Sequence, residues 1–390
     1  MLDLTRPRAR GSAVLAALLG LLLVVGCDPG GSVGDAPGGG DPTAGSGDAA
    51  PLGDGGRGVR VMAVGDSLTH GGTGDLTWRY RLWNHLSDTD PDLEFVGPRD
   101  GVENRATEGE DEHDGYADPD FGTAHDAMWG RTLKDASQEI GGTVAEYDPD
   151  VLLVLLGIND LGWLGAEPGR MHGQVRDLLD EARQGDDPPQ VLIAGVLPTQ
   201  RGVDDPSFAA KVGAYNSGLD AIAEEESRPG ARVVHVDIAD AESYVPDRDT
   251  YDGTHPNARG ELKIAAAFAD ALHSGFGYGA PYPRPLPETE FGPREAPEPT
   301  AELVPGQGAV LNWDPVPGAT TYRVRWKQGG EGTPEGADQV WAKARPLPAH
   351  VRTWTLEDVE PGAEYTFQVR ADKGWHKGDY SDRVAVSAQA

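Results

Sequence analysis

The chain has 390 residues, enough for more than one domain with its own buried core, and 38% of them are hydrophobic. Its 33 lysines and arginines are outnumbered by 64 aspartates and glutamates. The net charge of −31 argues against nucleic acid as a partner, because phosphate binding needs clustered cations. Cys27 is the only cysteine, which excludes an internal disulfide bond and a cysteine-rich metal site.

The N-terminal segment 1–26 has the pattern of a secretion signal. Three arginines precede an apolar run over 13–25, which is too short to span a bilayer as a helix of about 20 residues. The segment leads into Val24-Val25-Gly26-Cys27, which resembles the bacterial lipobox. The resemblance implies cleavage before Cys27, a diacylglyceryl group on its sulfur, and a protein anchored on the extracellular face of the cell membrane. A plain signal peptide with an incidental cysteine is the alternative.

Changes in composition divide the rest of the chain into segments. Residues 27–58 are rich in glycine and proline and lack aromatic residues, which predicts a flexible tether. Residues 59–275 alternate short apolar runs with helical stretches. Residues 276–300 are proline-rich and predict an extended linker. Residues 301–390 have the period of two that is typical of β-strands.

Four apolar runs in the second segment are predicted to be buried strands: 59–64, 151–156, 190–197 and 232–238. The run 151–156 is apolar on both faces, which suits a central parallel strand that helices cover on both sides. Helical periodicity follows three of these strands, over 174–183, 208–226 and 258–273. The alternation predicts an α/β three-layer sandwich with a mostly parallel sheet, in which ligands bind at the carboxyl ends of the strands.

Polar side chains follow three of the predicted strands. Ser67 lies in Gly-Asp-Ser-Leu after the first strand, and Asn159 lies in Gly-Ile-Asn-Asp after the second. The last strand precedes a loop with Asp252 and His255 in Asp-Gly-Thr-His-Pro. Alone, each of the first two blocks is more often a turn, and the third could be only the start of a helix with Asn257 as its cap. Together, Ser67, His255 and Asp252 could serve as nucleophile, base and orienting acceptor, and the Asn159 amide could stabilise an oxyanion.

These blocks, in this order, resemble those of the SGNH (GDSL) hydrolase family over residues 59–275. The resemblance implies a serine esterase that works through an acyl-enzyme without a cofactor or metal. Ser67 would attack the ester carbonyl, His255 would accept and return the proton, and Asp252 would hold His255 in the useful tautomer. The backbone N–H of Ser67 would contribute to the oxyanion hole together with the amide of Asn159.

The family also has a glycine block that donates a further N–H to the oxyanion hole. Gly130, in Trp-Gly-Arg-Thr, is assigned to it, although the family's usual spelling is not met, and Gly122 is the alternative. His70 is a rival base that is close to Ser67 in sequence. We favour His255, because the base of a triad approaches from another loop, and we interpret Asp66 as structural.

The substrate is expected to be a small-molecule or polysaccharide ester. The stretches 78–82, 95–97 and 215–216 resemble the carbohydrate-esterase branch of the family, which implies deacetylation of sugars. Acyl transfer to an alcohol instead of water stays open. Trp78, Trp129 and Trp163 could line the mouth of the site, and core packing explains each equally well.

Residues 108–120 contain seven acidic side chains, and His113, His125 and Asp126 lie nearby. Their oxygen content would suit calcium. Since the spacing matches no EF-hand loop, we favour a solvated acidic loop and predict no metal site.

The C-terminal segment 301–390 is predicted to be an antiparallel β-sandwich. Its alternating strands resemble a fibronectin type III domain, with Trp313, Tyr322, Leu356 and Tyr365 at core positions and Tyr365 as the tyrosine-corner residue. An alternative function follows from this domain. The protein could be a non-catalytic surface lipoprotein that binds glycan or protein through it.

Overall fold

The computed structural model describes residues 58–104, 109–111, 115–330 and 340–387. The predicted signal peptide, Cys27 and all but the last residue of the predicted tether lie outside the described residues. Within the described ranges, every helix is too short or too polar to cross a lipid bilayer.

A parallel sheet forms the centre of the first domain. Its strands, with one antiparallel ribbon, are β1 (Arg60–Gly65), β2 (Glu94–Phe95), β3 (Val102–Asn104), β4 (Gly109–Asp111), β5 (Asp126–Ala127), β6 (Val151–Leu155), β7 (Gln190–Ala194) and β8 (Val233–Val236). Strands β2, β1, β6, β7 and β8 lie side by side in that order, all parallel, and β5 pairs with the carboxyl end of β1. The ribbon is β3 with β4. The four predicted strands are confirmed, each within three residues of its predicted ends.

Helices cover both faces of this sheet. In chain order they are α1 (Ser67–His70), α2 (Thr77–Thr89), α3 (Leu133–Tyr147), α4 (Ile158–Gly162), α5 (Pro168–Ala182), α6 (Gln200–Asp204), α7 (Pro206–Asn216), α8 (Leu219–Glu226), α9 (Ile238–Ala241), α10 (Pro246–Asp249) and α11 (Ala258–Phe276). Helix α2 packs against α11, and α3 packs against α5. Connections between parallel strands are right-handed. The chain moves from β1 to β2 in one direction along the sheet and from β6 through β7 to β8 in the opposite direction, so the two helix pairs lie on opposite faces of the sheet. The central strand β6 is therefore buried along its whole length, and the predicted three-layer fold is confirmed.

An antiparallel sandwich forms the second domain. Residues 277–299 contain neither helix nor strand. The strands that follow are β9 (Thr300–Val304), β10 (Gly308–Asn312), β11 (Thr321–Gln328), β12 (Ala342–Lys343), β13 (Leu347–Pro348), β14 (Thr353–Leu356), β15 (Glu364–Lys373), β16 (His376–Tyr380) and β17 (Val384–Ser387). One sheet has the order β14-β10-β9. The other has the order β12-β11-β15-β16, with β13 on β11 and β17 on β15.

The aromatic residues that the sequence assigned to the core of the sandwich are found there. Trp313, Tyr322 and Tyr365 are buried, and Leu356 packs against the same cluster while partly buried. The hydroxyl oxygen of Tyr365 accepts a hydrogen bond from the N–H of Glu360, at 2.9 Å. A hydrogen bond between the tyrosine hydroxyl and the backbone a few residues upstream is the defining contact of a tyrosine corner.

Candidate active site

Ser67 follows the carboxyl end of β1 and begins helix α1. The turn between them is tight, since a Cβ placed on Gly65 would lie only 2.2 Å from Oγ1 of Thr69. Asp66 is buried and caps α1, because its Oδ1 accepts a hydrogen bond from the N–H of Leu68 at 3.0 Å. Strand, turn and cap together fix Ser67 at the edge of the sheet where ligands bind.

A continuous chain of hydrogen bonds joins Ser67 to the loop before α11. Nε2 of His255 lies 3.0 Å from Oγ of Ser67. Nδ1 of the same ring lies 2.8 Å from Oδ2 of Asp252. The other carboxylate oxygen of Asp252 accepts from the backbone N–H groups of Thr254, at 3.0 Å, and His255, at 2.8 Å. The structure thus brings together hydroxyl, imidazole and carboxylate from segments 188 residues apart.

Asp252 stays ionised in this arrangement. Burial by itself would raise the pKa of its carboxyl group. Hydrogen bonds from the His255 ring and from the two backbone N–H groups outweigh burial and hold that pKa below its usual value. The carboxylate can therefore accept from Nδ1–H throughout the neutral pH range, which leaves Nε2 as the acceptor toward Ser67.

The His255 ring is held between two aromatic rings. The Trp129 ring stacks on it at 4.7 Å between centroids and 20° between planes. The Tyr251 ring stacks on it at 5.6 Å and 17°. The loop is also closed on itself, because the N–H of Tyr251 donates to the carbonyl of His255 at 2.9 Å. These contacts fix the plane of the imidazole without occupying either ring nitrogen.

Gly130 lies on the loop after β5, and Asn159 lies in the first turn of α4. The strand β5 pairs with the end of β1, and the N–H of Met128 donates to the carbonyl of Gly65 at 3.1 Å, so the loop that carries Gly130 starts beside Ser67. Gly130 has φ of 81°, a backbone conformation that favours glycine. One N–H of the Asn159 amide donates to the carbonyl of Arg131 at 3.0 Å, which ties Asn159 to this loop.

Gly122, the alternative to Gly130, lies elsewhere. A Cβ at this position would lie 3.0 Å from the indole nitrogen of Trp83 and 3.6 Å from Cβ of Phe95. Gly122 therefore belongs to the surroundings of α2 and β2, and the geometry favours Gly130.

Comparison with known proteins identifies the family. Residues 63–262, about half of the chain, match the model of the GDSL-like lipase/acylhydrolase family. The chain belongs to this family. It is therefore an ester hydrolase, and residues 296–387 match the fibronectin type III domain. The two domains are called the GDSL domain and the fibronectin domain below.

Solved structures similar to this chain include two carbohydrate esterases. A family 3 carbohydrate esterase from Talaromyces cellulolyticus is 23% identical, with a TM-score of 0.46, and the match covers 56% of this chain and 98% of that one. A family 3 carbohydrate esterase from Clostridium thermocellum is 21% identical, with a TM-score of 0.43, and the match covers 57% of this chain and 100% of that one.

His70 of the GDSL domain, the rival base, is buried and holds the Trp129 loop. Its Nδ1 accepts a hydrogen bond from the N–H of Trp129 at 3.2 Å. Burial, with the nearby charges of Arg79 and Arg99, lowers the pKa of His70 to about 3. The ring is therefore neutral at physiological pH, and its role is to position the residue next to Gly130.

Arg79 holds the C-terminal end of α1, the helix that begins at Ser67, a role that the sequence analysis did not predict. It is fully buried and donates to the carbonyls of Thr69 (2.9 Å), His70 (3.0 Å) and Thr123 (2.8 Å). Thr69 and His70 end α1, so their carbonyl groups have no partner within the helix. The Arg79 guanidinium satisfies these carbonyls, and its positive charge offsets the partial negative charge at the C-terminal end of the helix that begins at Ser67. A signal was available: Arg79 precedes Leu82 by three residues on the buried face of α2, where a charge needs partners.

The three candidate tryptophans differ in how much of each side chain is exposed to solvent. Trp78 is fully buried and stacks on Phe268 at 4.9 Å, so it is part of the core. Trp129 stacks on the His255 imidazole, as described above. Trp163 is 68% exposed, and its ring would lie 3.1 Å from a Cβ on Gly130. An exposed aromatic ring beside Gly130 can contact a ligand, whereas Trp78 cannot stack on one.

The described residues of the acidic segment and its neighbours do not form a metal site. Most of its candidates lie outside the residues whose side chains are described: Glu108, Glu110, Asp111, Glu112, His113 and Asp114. Asp118 accepts from the Tyr80 hydroxyl at 2.7 Å, and Asp126 pairs with Arg131 at 2.9 Å. His125 is buried, with Nδ1 accepting from the N–H of Ala127 at 3.0 Å. No group of three or more metal-ligating side chains occurs in the described part of the chain.

Asp66 should make stability depend on pH. Burial raises the pKa of Asp66 from 3.8 to about 7, with Asp160 contributing in the same direction. Between these values the folded chain keeps a proton that the unfolded chain releases. The Asp66 contribution to the free energy of unfolding therefore decreases as the pH rises from about 4 to about 7, and is constant above that.

The substitution Asp66→Asn tests this dependence, since it keeps the capping oxygen and does not titrate. We expect the free energy of unfolding of the variant to rise relative to the wild type by a few kcal/mol from about pH 4 to about pH 7, because each pKa unit corresponds to about 1.4 kcal/mol. Urea titrations across that range measure the difference. A difference that stays constant with pH would show that Asp66 is ionised in the folded state.

Proposed function

We propose that this protein is an extracellular serine esterase that removes short acyl groups, acetyl above all, from carbohydrate. The proposal rests on one observation, the hydrogen-bonded chain from Ser67 through His255 to Asp252. Attachment to the cell surface through a lipid on Cys27 is part of the proposal and rests on the lipobox-like sequence.

The first half-reaction acylates the serine. Oγ of Ser67 attacks the ester carbonyl while Nε2 of His255 takes the hydroxyl proton. Asp252 accepts from Nδ1–H, holds this tautomer and stabilises the imidazolium that forms. The carbon–oxygen bond to the alcohol then breaks, and Nε2 returns the proton to the leaving oxygen.

The second half-reaction releases the acid. Water attacks the acyl carbon of the acyl-enzyme, and His255 again accepts the proton. The bond to Oγ breaks, the proton returns to Ser67, and the carboxylate product leaves. An alcohol in place of water would receive the acyl group instead, which is the reaction of an acyltransferase.

Three donors are assigned to the oxyanion that forms in each step. They are the backbone N–H groups of Ser67 and Gly130 and the second N–H of the Asn159 amide. The bond from the first Asn159 N–H to the Arg131 carbonyl fixes the amide plane, so the second N–H is aimed before substrate arrives. Such preorganised donors require no rearrangement during the reaction.

The space at Ser67 supports a short acyl group. A cavity of about 10 Å³ lies against Ser67 and His255. That volume accommodates one group about the size of a water molecule. Its walls include the Trp129 ring and the carboxylates of Asp75 and Glu261. Glu261 is paired with Arg81 at 2.9 Å and Asp75 with Lys373, but a carboxylate has about four acceptor sites and can accept from a hydroxyl group as well. These side chains favour a polyhydroxy alcohol next to the acyl group.

A chain-length series tests the proposed function. We expect p-nitrophenyl acetate to be hydrolysed with a kcat/KM at least about tenfold above p-nitrophenyl octanoate, because the longer chain has no room at Ser67. Release of p-nitrophenol and of acetate from acetylated sugars are the two readouts. A preference for octanoate would contradict the acyl-group assignment, and no turnover of any ester would support the non-catalytic surface lipoprotein instead.

A further inference from the structure

The fibronectin domain contacts the loop that carries the catalytic histidine. The turn between β15 and β16 presents the N–H of Trp375, which donates to the carbonyl of Tyr251 at 2.9 Å. Gly374 precedes it with φ of 54°, and a Cβ there would lie 1.7 Å from the same carbonyl oxygen. Only glycine permits this approach. The backbone of one domain thus lies directly against the backbone of the loop whose Tyr251 ring stacks on His255.

A buried ion pair joins the two domains at the same place. The ammonium group of Lys373 pairs with the carboxylate of Asp75, and the two side chains are 13% and 9% exposed. The same ammonium lies 4.8 Å from the centre of the Tyr251 ring. Nδ2 of Asn257, at the start of α11, lies 3.1 Å from Nε2 of His376. The ion pair, the Asn257–His376 contact and the bond from Trp375 to Tyr251 all lie at the active-site edge, so the fibronectin domain is docked there.

Between the domains lies a cavity of about 260 Å³, here called the seam cavity. The GDSL domain contributes Gly72, Asp75, Asn104 and Tyr251 to its walls, and the fibronectin domain contributes residues 315–320 and Arg352, among others. Gly72, Asp75 and Tyr251 also line the small cavity at Ser67. The two cavities therefore adjoin along shared walls, and the larger one exists only because the second domain is docked.

We propose that the seam cavity binds the alcohol part of the ester, a polyhydroxy group such as one sugar unit, so that the fibronectin domain forms part of the substrate site. This inference rests on the proposed function. When an acyl group fills the small cavity at Ser67, the rest of the substrate extends along the residues that this cavity shares with the seam cavity. The volume is close to the lower end of small-molecule pockets, roughly 300 Å³.

The chemistry of the seam cavity fits a sugar unit. Its lining is mainly apolar, and Pro315 and Pro317 form a wall on which the C–H face of a sugar ring can pack. Asp75, Asn104 and Arg352 add polar groups to this lining, and Asp75 and Arg352 already have partners within the protein. A carboxylate has about four acceptor sites and a guanidinium five donors, so these two side chains can bind hydroxyl groups in addition to their present partners.

The test compares esters with one acyl group and different alcohols, using the full chain. Ethyl acetate has an alcohol too small to fill the seam cavity, whereas a methyl glycoside with one acetyl ester has a sugar ring. The substitution Pro315→Trp puts bulk into the cavity from an exposed position of the fibronectin domain. We expect the ratio of kcat/KM for the glycoside to kcat/KM for ethyl acetate to fall about tenfold or more.

A matched control and a second variant complete the test. Pro346→Trp makes the same change at an exposed proline of the same domain outside the cavity lining, and should leave the ratio unchanged. Asn104→Ala changes the opposite wall and should lower the ratio by about three- to tenfold, as expected for one lost hydrogen bond.

The outcomes separate the seam-cavity proposal from the proposed function. An unchanged ratio in both Pro315→Trp and Asn104→Ala would overturn the seam-cavity proposal while leaving the esterase intact. A selective loss on ethyl octanoate relative to ethyl acetate would overturn it in favour of an acyl chain as the occupant. If the wild type hydrolyses none of these esters, the proposed function itself is wrong.

Discussion

The variant Ser67→Ala is expected to hydrolyse p-nitrophenyl acetate with a kcat lowered by about 10⁴-fold or more. The substitution removes the oxygen that lies 3.0 Å from Nε2 of His255, and the alanine methyl group cannot act as a nucleophile in its place. KM should change little, because the walls around the acyl group remain. The donors to the oxyanion stay in place and account for whatever rate is left.

Ser137→Ala is the matched control for this variant. Ser137 is 7% exposed, as Ser67 is, and its hydroxyl donates to a backbone carbonyl within α3. We expect full activity from it. A Ser67→Ala enzyme that keeps more than about a tenth of the wild-type kcat would mean that a different group attacks the ester.

Asp252→Asn is expected to lower kcat by roughly 10³- to 10⁴-fold with the fold intact. The asparagine oxygen can still accept from the N–H groups of Thr254 and His255, so the loop keeps its shape. Its amide nitrogen, however, would face Nδ1 of His255 where Oδ2 now accepts. The proton then moves to Nε2, and the ring can no longer take the proton of Ser67.

Asp205→Asn is the matched control for Asp252→Asn, because the carboxylate of Asp205 also accepts from backbone N–H groups of a turn. Oδ1 of Asp205 caps α7 by accepting from the N–H groups of Ser207 (3.0 Å) and Phe208 (3.3 Å), much as Oδ1 of Asp252 holds its own loop. Stability of the two variants should be similar, whereas only Asp252→Asn should lose activity. Equal kcat in both would show that Asp252 does no more than shape its loop.

The sheet could be predicted because burial leaves a strong pattern. Residues 151–156 are apolar without interruption, and the structure covers β6 on both faces. The candidate site followed from the same inference, since residues placed directly after parallel strands meet at one edge of the sheet. That argument brought Ser67 and Asn159 to one edge, and His255 reaches the same edge from the loop between α10 and α11.

Other features could not be predicted, because their determinants are contacts rather than patterns. Strand β5 has two residues, too few to show a period, yet it sets the position of the loop with Gly130. The ion pair between Asp75 and Lys373 joins positions almost 300 residues apart that belong to no motif. The sequence suggested a binding role for the fibronectin domain, whereas the close approach of its backbone to Tyr251 requires a glycine at position 374.

The central claim is that His255 activates Ser67 as the nucleophile, and covalent labelling tests it most directly. A fluorophosphonate reacts with an activated serine hydroxyl by forming an oxygen–phosphorus bond with loss of fluoride. Mass spectrometry of the labelled chain should give one adduct, on the peptide that contains Ser67. The adduct should be absent from Ser67→Ala and should form far more slowly in His255→Ala. An enzyme that hydrolyses esters while its adduct lies on another residue, or that labels equally fast without His255, would contradict the account.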